Sequence, residues 1–257
     1  MLKFSRQVFA AVALTAVASA AQAYVQISLV DTGGGAVSCS TQNAATVAAC
    51  SAGFTAFGGG AVTVGTLDLQ FSGFVGGFRV TTTSLGSNTP GTMVVGTLDQ
   101  SATRVERRTG FGAGTLFIDS FAFNYTSPVG PLRSFTGATS FDSSLYANTD
   151  SVTTVLTYDP FNLGGDNFSA GTTSFAATLS LPPYDGSSKS DSEAFGLVTV
   201  AGPGSYSLRH KQAYALAEGS VINSTATSAV RRIPEPMSAS LVGIALLGLA
   251  FAARRKA

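Results

Sequence analysis

Alternation dominates the order of apolar and polar positions along this chain. In the run 174–181, Phe175, Ala177, Leu179 and Leu181 fall on one side and mainly hydroxyl side chains on the other, the period of a half-buried strand. Val152 to Tyr158 is β-rich in the same way. Tyr206, Leu208, His210, Gln212, Tyr214 and Leu216 share one parity, Glu218-Gly219 marks a turn, and a Ser/Thr-rich strand is expected from Val221 to Val230. The run 115–125 changes phase: Leu116 and Ile118 lie on one face, then Phe121, Phe123 and Tyr125 on the other. A bulge near Asp119-Ser120 reconciles them, because one extra residue flips the side-chain phase. Gly65 is a second candidate bulge, between Val62/Val64 and Leu67/Leu69/Phe71. The pattern predicts roughly 12 to 14 short strands separated by Gly, Pro, Asn and Asp clusters, and no long stretch between the two ends shows a helical period. The expected fold class is all-β: a two-sheet β-sandwich of the jelly-roll kind.

The two ends are patterned differently. Lys3 and Arg6 precede an apolar stretch from Val8 to Ala18, followed by Ala21-Gln22-Ala23. That order is a secretory signal peptide, cleaved by signal peptidase after the small-x-small pair Ala21/Ala23, so that the mature chain begins at Tyr24. At the other end Pro234-Glu235-Pro236 is followed by 17 uncharged, mostly apolar residues, Met237 to Ala253, and then by Arg254, Arg255 and Lys256. As a helix the apolar run is about 25 Å long, short for a hydrocarbon layer of about 30 Å. Basic side chains that reach the headgroups let it serve as a single transmembrane helix. The basic cluster stays on the cytoplasmic side and leaves the body outside. The expected division is 1–23 signal peptide, 24–230 β-sandwich body, 231–233 linker and 234–257 C-terminal signal.

A Pro-Glu-Pro motif, one apolar helix and a basic terminus, in that order, resemble the PEP-CTERM sorting signal. The resemblance implies recognition of Pro234, Glu235 and Pro236 by an exosortase, a membrane-embedded cysteine transpeptidase, with Arg254, Arg255 and Lys256 as the basic stop. It further implies passage through the secretion machinery, transient residence in the inner membrane, and a final place at the cell surface or in extracellular polymer, with exopolysaccharide as a further partner. Many bodies of this family resemble this one in closing on a Tyr/Leu-rich strand, a Gly turn and a Thr-rich strand. An ordinary C-terminal anchor with a Pro-rich hinge is the alternative.

Charge changes the picture in one respect. Ten of the fifteen basic residues and all fourteen acidic ones lie between Tyr24 and Pro236, so the body carries a formal charge of −4 although the whole chain is +1. A mildly acidic body lacks the basic face that nucleic acid requires. Cys39 and Cys50 are the only cysteines; an even pair in an exported chain reads as one structural disulfide. Two cysteines and a single histidine do not complete a four-ligand metal site.

The chain has no Gly-x-Ser-x-Gly elbow, Walker loop or His-Glu-x-x-His. Gly110-Phe111-Gly112-Ala113-Gly114 begins like a dinucleotide fingerprint, but Thr115 stands where the third glycine belongs and a strand follows, so the segment reads as a turn. His210, the sole histidine, is the one residue a Ser-His-Asp site could use; its parity favours a structural role. Asp159, Asn162, Asp166 and Asn167 are a candidate oxygen set for calcium. These are also ordinary turn formers, and Ala170 stands where an EF-hand needs its glutamate, so a plain turn is the preferred reading. The expected function is therefore that of an exported, non-catalytic surface or matrix protein without a cofactor. A carbohydrate-binding β-sandwich is the second reading, weakened by 18 Phe, seven Tyr and no Trp, because Phe usually packs the core.

Overall fold

The computed structural model describes residues 24–56, 61–64, 67–89, 91–92, 95–128, 132–160, 162, 172–180, 189–201 and 204–233. The first part of the chain forms β1 (Tyr24–Asp31), β2 (Ala36–Ser40), α1 (Ala44–Ala56), β3 (Ala61–Val64), β4 (Asp68–Val75) and β5 (Phe78–Ser87). Then come β6 (Val95–Arg107), β7 (Gly114–Tyr125), β8 (Leu132–Leu145) and β9 (Ser151–Asp159). The last four are β10 (Thr173–Ser180), β11 (Lys189–Ala201), β12 (Tyr206–Leu216) and β13 (Val221–Arg232). The strands make an all-β sandwich of two antiparallel sheets, in the orders β10-β9-β12-β7-β1-β2 and β11-β8-β13-β6-β5-β4-β3.

From β6 onward the wiring has a regular form. Each consecutive pair, β6/β7, β8/β9, β10/β11 and β12/β13, puts one strand in each sheet, so that β10-β9-β12-β7 is matched by β11-β8-β13-β6. β1 and β2 extend one sheet beyond β7, and β5, β4 and β3 extend the other beyond β6.

Alternation places the core. Val25, Ile27 and Leu29 of β1, Leu116 and Ile118 of β7, and Leu208 of β12 are buried against Leu98 and Val105 of β6, Phe135 of β8 and Val230 of β13. Each such side chain contributes about 1.5–3 kcal/mol on leaving water. Part of the buried layer is polar. Gln212 Oε1 accepts from Gln100 Nε2 at 2.6 Å and from the Tyr214 hydroxyl at 2.8 Å; Ser120 donates to Gln100 Oε1 at 3.2 Å, and Gln212 Nε2 to Thr154 at 3.4 Å. Burial pushes the Tyr214 phenol well above its ordinary range. The Gln100–Gln212 and Ser120–Gln100 bonds cross between the sheets and fix their register, since a slip would leave buried amides unpaired.

Three expectations are corrected. First, α1 is a helix where none was read. Ala44, Ala45, Ala48, Ala49 and Ala52 favour it strongly, but apolar residues lie all round it, so no one-sided period betrays it. Asn43 caps it: Asn43 Oδ1 accepts from Thr46 N at 2.9 Å while Thr46 Oγ1 accepts from Asn43 N at 3.0 Å, a reciprocal box.

Second, there is no bulge at Asp119-Ser120. The ladder to β1 is unbroken from Leu116 to Phe123 and that to β12 from Gly114 to Ala122; the shift comes at Asn124, which has φ 63°. Tyr125 therefore faces inward with Leu116 and Ile118, and Phe121 and Phe123 face outward. Planar partners shield them there. Tyr24 stacks on Phe123 at 4.5 Å, and the Arg209 guanidinium, paired with Asp119, lies 4.6 Å over Phe121, leaving the two rings only 7% and 6% exposed. Hydrophobic side chains on an outer face imitate a phase change.

Third, Arg231 and Arg232 are not linker, since both still pair with β8, opposite Ser134 and Arg133. The expected bulge at Gly65 lies outside the described residues. The pentapeptide Val64-Gly65-Thr66-Leu67-Asp68 recurs at 95–99, but the first copy straddles the end of β3 and start of β4 whereas the second opens β6 as continuous strand.

Candidate functional site

Among the expected site residues, Cys39 and Cys50 are joined in a disulfide that ties β2 to α1, with Cα atoms 4.8 Å apart, within the ordinary range. His210 is fully buried in β12, its Nε2 2.8 Å from Ser228 Oγ, and its Nδ1 has no hydrogen-bond partner among the described residues. Burial pushes its imidazole down to about 3. Ser228 is buried as well.

Of the calcium candidates, Asp159 is buried at the end of β9. Asn162 is turned onto Asn124: Asn124 N donates to Asn162 Oδ1 at 2.9 Å and Asn162 Nδ2 donates to Asn124 Oδ1. Among the described residues no group of three or more His, Cys, Asp or Glu could hold a metal ion. Asp166, Asn167, Ala21, Ala23, Pro234, Glu235, Pro236, Arg254, Arg255 and Lys256 lie outside the described residues. No helix among the described residues is long and apolar enough to cross a membrane.

The structure brings together two groups that sequence reading missed, at opposite poles of the sandwich. One pole gathers the turns after β1, β4, β6, β8 and β12, and three carboxylates tie them. Asp31 accepts from Gly33 N and Gly77 N, each at 2.8 Å, and faces Arg107 Nη1 at 3.5 Å with both side chains buried. Asp150 accepts from Ala147 N at 2.8 Å and Ala217 N at 2.6 Å. Glu218 accepts from Gly110 N at 2.6 Å and Gly112 N at 3.2 Å. Arg107 completes the tie by donating to Phe111 O at 2.8 Å and Gly112 O at 2.7 Å, with its guanidinium 4.5 Å over the Phe78 ring. The 108–113 turn is thus held from both sides. At its tip Phe111 is 47% exposed, and the Arg108 guanidinium sits 4.8 Å from Phe111 and 4.5 Å from the 36%-exposed Phe74.

The other pole holds the start of β1 and the end of β13. Tyr24 lies opposite Phe123 near the end of β7, and Arg231 lies opposite Val95 at the start of β6. Buried Arg133 donates to the Tyr158 hydroxyl and to Gly204 O, each at 3.1 Å, and lies 4.7 Å from the Tyr206 ring, which stacks on Tyr125 at 4.9 Å. Burial pushes the Tyr158 phenol up, against the pull of Arg133. A Cβ on Gly96 would strike Tyr206 and Tyr125, which is why glycine sits there. The isolated tyrosines and Arg133 carried no spacing that could announce this cluster.

No family model, no curated protein and no solved structure matches this chain.

Proposed function

We propose that this chain is an exported, non-catalytic surface or extracellular-matrix protein, made as a precursor and released at a C-terminal PEP-CTERM signal. The signal peptide delivers the body across the inner membrane. The 237–253 segment holds it there as a transmembrane helix, and an exosortase cuts near Pro234-Glu235-Pro236.

The observation that favours this reading is the shared pole. β1 begins and β13 ends on the same side of the sandwich, one in each sheet. The two points at which the targeting segments join the body therefore lie at one pole, and the far pole is roughly 40 Å away, since β6 has 13 residues at about 3.3 Å each. The disulfide fits an oxidising compartment. Within this reading the last eight strands form a jelly roll. Its support is the matched order β10-β9-β12-β7 over β11-β8-β13-β6, as two Greek keys wound over one another require.

The experiment replaces Pro234-Glu235-Pro236 by three alanines in the organism that makes the protein. Proline disfavours helical geometry in the residue before it and so keeps Glu235 in an extended, accessible segment. The variant is expected to insert normally and to accumulate in the membrane at full length. Release of a product with the wild-type mass would mean that the motif is only a hinge and the apolar run an ordinary anchor.

A further inference from the structure

One edge of the sandwich is bridged by a helix that its own packing holds weakly. β2 is the last strand of one sheet and β3 the last of the other. α1 links them in sequence and packs against both. Among its described side chains Cys50 alone is buried; Ala44, Ala45, Ala48, Ala49 and Ala52 are exposed, and Thr46 and Val47 are half-buried. A free-standing helix of 13 residues is marginal in water. α1 has no acid in its first turn and no base in its last to favour its dipole, and Gly53 within it weakens its interior.

The side chain that α1 does bury is the one bonded to β2. Cys50 and Cys39 are 1% and 3% exposed, and Cys50 Sγ accepts from Ser40 N at 3.2 Å. The covalent bond therefore sits at the point where the helix meets the strand. The larger part of the sandwich is wired without this corner, since the matched strands β10-β9-β12-β7 and β11-β8-β13-β6 include neither β2 nor β3.

We infer that the Cys39–Cys50 bond is a redox latch on α1: while the thiols are reduced the helix is undocked and strands β6 to β13 stay folded, and oxidation docks it. Closure joins the Sγ of Cys39 to the Sγ of Cys50. The two thiols give up two protons and two electrons to a disulfide oxidant, which leaves as a dithiol. In the export route proposed above, the chain is made in a reducing compartment and meets such an oxidant only beyond the membrane. Once formed the bond is buried, which screens both sulfurs from an attacking thiolate. The latch is a property of the body and stands whether or not the C-terminal segment is processed as proposed.

The test is hydrogen exchange on the full chain in detergent micelles, with the disulfide formed and after reduction in denaturant and refolding with reductant present. In the disulfide form both α1 and the strands should be protected. In the reduced form the amides of 48–56 should exchange as fast as in an unstructured peptide, while those of β6 to β9, β12 and β13 stay slower than that by about 1000-fold or more. The double variant Cys39→Ser, Cys50→Ser should match the reduced protein even under oxidising conditions. Protection of α1 in the reduced form would show that its packing suffices without the bond. Loss of protection in all strands together would make the bond a support of the whole fold, and an unprotected α1 in the disulfide form would mean that nothing is latched. Each of these results overturns the inference.

Discussion

Arg107 is the residue on which most of the far pole converges. Its guanidinium faces Asp31, covers Phe78 and donates to two turn carbonyls. Nothing in the local sequence announces this, because Asp31 lies 76 positions away and both residues sit in ordinary alternating strands. Removing one partner of a buried pair leaves the other charge uncompensated, which typically costs about 3–5 kcal/mol. Asp31→Ala should therefore lower stability by about that amount in urea unfolding, and more than Glu106→Ala, whose partner Arg79 is half exposed.

His210 is the opposite case, since its parity on β12 did announce its burial. The native imidazole titrates near 3, against about 6.5 when unfolded. Between those values the unfolded chain takes up a proton that the native one refuses, so this contribution is complete above about pH 6.5 and falls away as pH drops toward 3. The stability advantage of the wild type over His210→Gln should shrink by about 3 kcal/mol between pH 7.5 and 4.5, read from paired melting curves. An advantage that stayed constant would place the imidazole outside the core.

At the scale of elements, strands were legible wherever one face met solvent with polar side chains, as in β9, β10, β12 and β13. β7 misled because Phe121 and Phe123 lie outward under Tyr24 and Arg209, so hydrophobicity ceased to report which side was the core. α1 was invisible for a related reason: alanine is apolar on every face and carries no direction. Its attachment was legible nonetheless, through the cysteine pair. Eleven positions separate Cys39 from Cys50, and closing a loop of that size contributes about 2–3 kcal/mol in the chain-entropy model. Replacing both cysteines by serine should destabilise the protein by that amount. In the exported wild type, alkylation without reduction should label neither.

At the scale of the molecule, two sheets follow from alternation, but their order does not. Consecutive strands pair at β1/β2, β3/β4, β4/β5, β5/β6 and β9/β10, but pairings such as β6 with β13 join distant segments and leave no local trace. That order has a consequence for how the chain must fold. β13 is the last strand before the C-terminal segment, yet it is central in its sheet, paired to β8 on one side and β6 on the other. Without it two strands lose their ladders, and Ile222, Ala226 and Val230 leave the core. Such long-range closure is slow, because loop entropy must be overcome before the contacts form, and it awaits the end of the body. The pairing predicts a sharp boundary. A truncated chain covering Tyr24–Ile233 should be β-rich by circular dichroism and melt within a few degrees of the full-length protein, because every described strand is retained. One ending at Ser220 should show no cooperative melting at all. A chain ending at Ser220 that still melted cooperatively would mean that β6 and β8 close the sheet without β13, and the strand order would have to be redrawn.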